Sequence, residues 1–127
     1  MVSSNVTLTK DKKVTSEQRI FLKTALLQLG VSPRNNGFQL FVKVISLVYK
    51  LDMITINLNK ICNILALRNK LTTPKAIYSE LKYAFYNINT KKLFANYEKV
   101  FGIELDTEYF SIKNLINDFV DLLESME

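Results

Sequence analysis

The residues whose types and spacing suit chemistry lie between positions 68 and 82, where cationic side chains alternate with hydroxyl groups. In chain order they are Arg68, Lys70, Thr72, Thr73, Lys75, Tyr78, Ser79 and Lys82. Guanidinium and ammonium groups bind phosphates, and hydroxyl groups donate hydrogen bonds to phosphate oxygens and to base edges. The segment therefore predicts binding of a polyanion rather than a chemical reaction.

Several kinds of catalytic site are excluded by residue type. The chain has no histidine, which removes the commonest general base and a common metal ligand, and its single cysteine is Cys62. No glycine-rich phosphate loop occurs. The acidic pair Asp118 and Asp121 has helical spacing and is interpreted as a solvated face. We expect no enzymatic activity, no cofactor, no metal and no small-molecule substrate.

Charge is distributed unevenly along the 127 residues, whose net charge is +5. Residues 60–97 contain seven basic residues and one acid, whereas residues 98–127 contain two basic residues and eight acids. A basic middle segment is typical of a protein that binds a polyanion, and a solvated lysine-rich face would have the same composition.

The sequence favours a protein of a reducing compartment. Cys62 has no partner for an internal disulfide, and its neighbours Ile61 and Ile64 predict a buried side chain. The first residues lack the pattern of a signal peptide. The most apolar stretch, residues 38–51, contains Gln39 and two lysines, so it is not a membrane span. We therefore expect a cytoplasmic, soluble protein with no membrane partner.

Helical periodicity predicts an all-α, six-helix single domain over residues 15–127, preceded by a flexible basic tail of residues 1–14. The predicted helices begin near residues 15, 38, 57–59, 73, 91 and 106, and the fifth is a short segment of one or two turns. Apolar residues expected to face inward include Ile20, Leu27 and Tyr109. In the last helix, Asp106 and Glu108 would lie at the positive end of the helix dipole.

The strongest local signal is Thr73 followed by Pro74, an N-cap residue directly before a proline in the first helical position. Residues 59–88 then form two short helices joined by a turn, which is the arrangement of a helix-turn-helix. Such a motif places its second helix in the DNA major groove. Arg68, Lys70, Thr72, Thr73 and Lys75 would then contact phosphates, and Tyr78, Ser79 and Lys82 would contact bases. A plain structural helix pair is the alternative interpretation.

Four blocks of sequence also occur in an order and spacing typical of one known family. They comprise Leu29, Gly30 and Val31; Gly37 and Phe38 with residues 45–49; Thr72 and Thr73; and Phe101 and Gly102 followed by Phe110 and Ile116. Over residues 26–123 the chain thereby resembles the C-terminal DNA-binding effector domain of the sporulation stage-zero A response regulators, which are bacterial. The resemblance implies a six-helix fold with an embedded helix-turn-helix that binds promoter DNA, often as tandem copies.

The sequence departs from that family where bases would be read. Ala76 and Ser79 stand where the family has arginines, and Tyr78 stands where it has a glutamate, whereas Lys82 keeps a positive charge. A bidentate arginine contact contributes about 1–3 kcal/mol to base discrimination. We therefore expect an altered target sequence. The resemblance covers no receiver domain, so we expect no control by aspartyl phosphorylation within these residues.

Two functions remain open on the sequence alone. The first is a DNA-binding transcriptional regulator whose partners are double-stranded DNA, with a second copy of the chain or RNA polymerase as further candidates. The second is a protein-interaction module or antagonist that keeps the fold and has lost specific DNA reading. Nonspecific binding to DNA through the basic tail and the helices is a third, simpler interpretation.

Overall fold

The computed structural model describes residues 13–127, and these residues form six α-helices and no strand. The helices are α1 Ser16–Gln28, α2 Asn36–Leu51, α3 Leu58–Arg68, α4 Pro74–Tyr86, α5 Thr90–Phe101 and α6 Ile112–Ser125. The all-α, six-helix prediction is thus confirmed. The predicted tail lies outside the described residues except for Lys13 and Val14, which precede α1 as irregular chain. Within residues 13–127 no helix has the length and apolarity to cross a membrane.

Side-chain caps determine where most of the helices begin. Thr15 and Gln18 form a capping box, in which the Thr15 hydroxyl accepts the Gln18 N–H at 3.1 Å and the Gln18 amide oxygen accepts the Thr15 N–H at 2.9 Å. The remaining caps satisfy N–H groups that would otherwise lack partners, and they belong to Asn57, Thr73, Asn89 and Ser111. The starts of α1 and α4 were predicted from their caps Thr15 and Thr73, whereas the cap Ser111 of α6 was not recognised in the sequence.

Helix α2 is the central element, because it packs against α1, α3, α4 and α6. Its side chains Phe41, Val44 and Ile45 are fully buried. Helix α4 packs on α2 through an inner face that includes Ile77 and Leu81, both buried as predicted. Hence the core holds α4 from one side and leaves its opposite side to solvent.

The contact between α2 and α4 is closest at Gly37. A Cβ atom added there would lie 2.3 Å from the Ala84 Cβ and 2.6 Å from the Glu80 carbonyl oxygen. Carbon atoms in van der Waals contact are about 3.5–4.0 Å apart. The missing side chain at residue 37 therefore allows the two helices to approach as closely as they do.

Three residues predicted to face inward are exposed instead. Ile20 is 66% exposed, Leu27 is 43% exposed and Tyr109 is 67% exposed. In α1 the buried stripe is Leu22, Ala25, Leu26 and the polar Gln18. A surface helix buries only one stripe, and the predicted apolar set of α1 was wider than that stripe.

The predicted extent of the fifth helix and the predicted start of the sixth were wrong. Helix α5 is a full 12-residue helix rather than one or two turns, although it ends at Gly102 as predicted. Helix α6 starts at Ile112, so Asp106 and Glu108 precede it. The Asp106 carboxylate accepts the Glu108 N–H at 3.0 Å, which stabilises a local turn in competition with a helix.

Candidate nucleic-acid interface

The outward side of α4 carries the polar residues that the sequence singled out. Those exposed on this side are Lys75, Ala76, Tyr78, Ser79, Lys82, Tyr83 and Tyr86. The Lys82 ammonium lies 5.4 Å from the centre of the Tyr78 ring, a cation–π distance. This contact fixes one cation beside one aromatic ring a turn along the helix. The outer face of α4 thus offers ammonium, hydroxyl and phenol groups to a ligand.

The first turn of α4 is ordered by its cap. The Thr73 hydroxyl accepts the Ala76 N–H at 3.1 Å, and Pro74 follows in the first helical position. A hydroxyl group that accepts one hydrogen bond keeps its own proton to donate. Thr73 can therefore cap the helix and donate to a phosphate oxygen at the same time.

The connection between α3 and α4 spans residues 69–73 and is organised by Asn69. The Asn69 side-chain oxygen accepts the Leu71 N–H at 3.1 Å, and its carbonyl oxygen accepts the Thr72 N–H at 3.3 Å. Helices α3 and α4 also pack on each other directly. The turn thereby presents the exposed cations Arg68 and Lys70 beside the start of α4.

The structure places the eight predicted site residues in a groove, in a smaller depression and on the exposed surface outside both. Arg68 and Thr72 line a groove of about 880 Å³ that runs along the flank of α4. Ser79 lines a smaller adjoining depression together with Arg34 and Asn36. The remaining five lie in neither concavity, and all of them are exposed: Lys70, Thr73, Lys75, Tyr78 and Lys82.

The groove is also lined by basic residues that were not among the site residues predicted from the sequence. They come from the start of α1, the loop before α2 and the outer side of α2, and they are Lys13, Arg19, Arg34, Lys43 and Lys50. Two of them, Lys43 and Lys50, could have been recognised in the sequence as one exposed side of a helix, because they interrupt an otherwise apolar helix seven residues apart. With Gln39 and Ser46 they form one helical stripe on α2.

Buried ionisable groups lie away from this region. Cys62 is buried as predicted, and burial raises the pKa of its thiol, which disfavours the reactive thiolate. Asp118 was expected on a solvated face, but it is half-buried and accepts a hydrogen bond from the Tyr97 hydroxyl. Within the described part of the chain no cluster of three potential metal ligands occurs.

Comparison with models of protein families, with curated proteins and with solved structures finds no match. The resemblance to the sporulation regulators therefore stays a prediction.

Proposed function

We propose that this protein is a DNA-binding transcriptional regulator in which α3, residues 69–73 and α4 act as a helix-turn-helix. The observation that carries the proposal is the outer face of α4, where Lys75, Ser79 and Lys82 project together from a helix whose opposite side is held by α2. A 13-residue helix is about 20 Å long, which is sufficient to follow the major groove across a recognition site.

The roles of the residues follow from their positions. Arg68, Lys70 and Lys75 lie around the start of α4, where cations and free N–H groups favour phosphate oxygens. Thr72 and Thr73 would add neutral donors to the same phosphates. These contacts would set the register of α4 on the duplex.

Base contacts would come from the next two turns of α4. The Ser79 hydroxyl can donate to or accept from base edges, and the Lys82 ammonium can donate to guanine. Because Lys82 lies over the Tyr78 ring, the aromatic side chain restricts where the ammonium reaches. Ala76 and Ser79 cannot reproduce a bidentate arginine contact. The target sequence would therefore differ from that of the sporulation regulators.

The test is selection of binding sequences from a pool of random duplexes, followed by measurement of affinity on the selected duplex by fluorescence anisotropy. We expect enrichment of a defined motif. We also expect the variant Lys75→Ala/Lys82→Ala to lower the magnitude of d log K/d log[salt] by about 0.9, the contribution of the one phosphate contact assigned to Lys75. Loss of the Lys82 contact to a base should weaken binding in addition. The matched control Lys99→Ala/Lys113→Ala removes the same charge from exposed positions on α5 and α6.

The variant Ser79→Ala tests base recognition, because it removes a hydroxyl group and leaves all charges in place. It should alter the enriched motif while leaving the salt dependence unchanged. An unchanged affinity and salt dependence in the Lys75→Ala/Lys82→Ala variant would refute the assignment of α4 as the recognition helix.

A protein-interaction module is the second candidate, and one feature favours it. Two leucines beside the basic turn are strongly exposed, Leu67 at 78% and Leu71 at 97%. Exposed leucines next to cations suit a protein partner such as RNA polymerase or another regulator. In that case the selection would enrich no motif, and Leu67→Ser, whose side chain lies outside the lining of the groove, would weaken binding of the partner without affecting any residual binding of DNA.

A further inference from the structure

The groove beside α4 is formed by five separate parts of the chain. Its walls are the start of α1, the loop between α1 and α2, the outer stripe of α2, the end of α3 with the turn that follows it, and α4. Apolar side chains form part of its lining, among them Leu40, Leu47 and Ile77. Helices α2 and α4, which form two of its walls, pack directly on each other.

The lining of the groove is strongly basic. Six cationic residues contribute to it, and all six are exposed: Lys13, Arg19, Arg34, Lys43, Lys50 and Arg68. The single acid among the described lining residues is Glu80, whose carboxylate accepts a hydrogen bond from the Asn36 side-chain amide at 3.4 Å. Like charges concentrated along a concave surface produce a positive potential that attracts anions.

A second observation at the groove concerns Ser46, which lies between the two lysines on the stripe of α2. Its Oγ is a buried side-chain atom without a hydrogen-bond partner in the described part of the chain. Buried hydroxyl groups in folded proteins nearly always have a partner. Because this oxygen is almost fully covered by protein, it does not itself contact an anion in the groove, and the exposed cations would supply those contacts.

The groove and the outer face of α4 are positioned to meet one duplex. At α4 the groove is lined by Thr72, which precedes the helix, and by Ile77 and Glu80. Both helical residues lie in the N-terminal half of α4, as does Lys75. Past Arg34 the groove adjoins the depression that contains Ser79. A helix in the major groove is bordered by sugar-phosphate strands on both sides. The flank of the N-terminal half of α4 is thus the place where one of those strands would pass.

We infer that the groove holds the sugar-phosphate backbone of the DNA strand bordering α4, so that much of the affinity comes from α1, α2 and the loop between them. This inference rests on the proposed function. Phosphate contacts supply a large share of the affinity of DNA-binding proteins and carry no direct sequence information. The groove residues therefore determine how tightly the protein binds, and the outer face of α4 determines which sequence it prefers.

The occupant is a nucleic-acid strand rather than a small phosphorylated molecule because the cations are spread over four chain segments along an open groove. A compact anion would contact only a few of them. A phosphodiester strand carries a charge at every nucleotide and can follow the whole row.

The inference is tested on the full chain with Lys43→Gln/Lys50→Gln, which removes two charges from the outer side of α2. Glutamine keeps most of each side-chain stem, and both positions are exposed, so the thermal midpoint should be unchanged. On the selected duplex, between about 50 and 200 mM salt, we expect the magnitude of the salt slope to fall by about 1.8. The enriched motif should stay the same. Lys99→Gln/Lys113→Gln is the control of equal charge and should leave the slope unchanged.

The possible results separate this inference from the proposed function. Wild-type salt dependence in the groove variant, together with a reduced slope in Lys75→Ala/Lys82→Ala, would refute the groove as a strand site and leave the proposed function standing. Absence of DNA binding by the wild-type chain would refute both. A small-molecule site would be indicated if inorganic pyrophosphate raised the thermal midpoint of the wild type but not of the groove variant while the DNA slope was equal in both, and that result too would overturn the inference.

Discussion

Replacing Gly37 by alanine would test whether the close contact between α2 and α4 holds the fold and positions the outer face of α4. The added Cβ would lie 2.3 Å from the Ala84 Cβ and 2.6 Å from the Glu80 carbonyl oxygen. Both neighbours are fixed to the helix backbone, so no side-chain rotation relieves the overlap. Relief requires that the axes of α2 and α4 move apart by more than 1 Å, given a normal carbon–carbon contact of about 3.5–4.0 Å.

Two effects of opposite sign set the size of the change. Overpacking in a well-packed core costs about 1–3 kcal/mol. Alanine is favoured over glycine in a helix by at most about 1 kcal/mol, and residue 37 lies in the first turn of α2, where that gain is smallest. We therefore expect Gly37→Ala to lower the free energy of unfolding by about 1–2 kcal/mol, which corresponds to a fall of about 4–8 °C in the thermal midpoint of a domain of this size.

The assay is urea denaturation and thermal melting followed by circular dichroism, in a double-mutant cycle with Ala84→Gly. Removal of the Ala84 Cβ relieves the shorter of the two overlaps, so the double variant should be more stable than the sum of the single effects predicts. The Glu80 carbonyl overlap remains, so recovery should be partial. An unchanged or higher midpoint for Gly37→Ala, or independent effects in the cycle, would show that the helices adjust freely and that the contact does not position α4.

Three further predictions concern stability. Thr73→Ala removes the cap on the Ala76 N–H and should cost about 1 kcal/mol in urea denaturation, with Thr73→Ser restoring it. Gly102→Ala should cost about 1–2 kcal/mol by the same measurement, although its Cβ would meet no atom within 4 Å, because the φ angle is +71°. Burial, and then the hydrogen bond to Asp118 and its charge, raise the pKa of Tyr97 above its ordinary value of 10.0. The stability that Tyr97 contributes is therefore fully present below pH 10 and lost at higher pH, so Tyr97→Phe should cost about 1–2 kcal/mol at pH 7 and progressively less above pH 10.

Local signals made part of this structure predictable. The start of α4 follows from Thr73 and Pro74, and the inner face of α4 follows from the helical spacing of Ile77 and Leu81. These features depend on residues within a few positions of one another. The outer face of α4 was predictable for the same reason, since it consists of the residues on the side opposite the apolar stripe.

The groove was not predictable, because its lining is assembled from segments far apart in the chain. Arg19 and Arg68 are separated by 49 positions and line the same concavity. Periodicity shows which side of a helix is buried, but it does not show which exposed sides become neighbours. Which exposed sides meet is determined by the packing of α2 against its neighbours. Gly37 contributes to that packing because it allows α2 and α4 to approach closely.

The acidic C-terminal segment, residues 98–127, lies apart from the basic groove in the fold. Helix α6 packs on α2 and α5, and none of its residues lines the groove. Four of the eight acids in residues 98–127 lie within the last ten residues: Asp118, Asp121, Glu124 and Glu127. If DNA approached this acidic helix, phosphates would meet carboxylates at close range, which raises the energy of that encounter. Under the proposed function, the acidic end would disfavour approach of DNA to α6 and would thereby favour approaches through the groove and the outer face of α4.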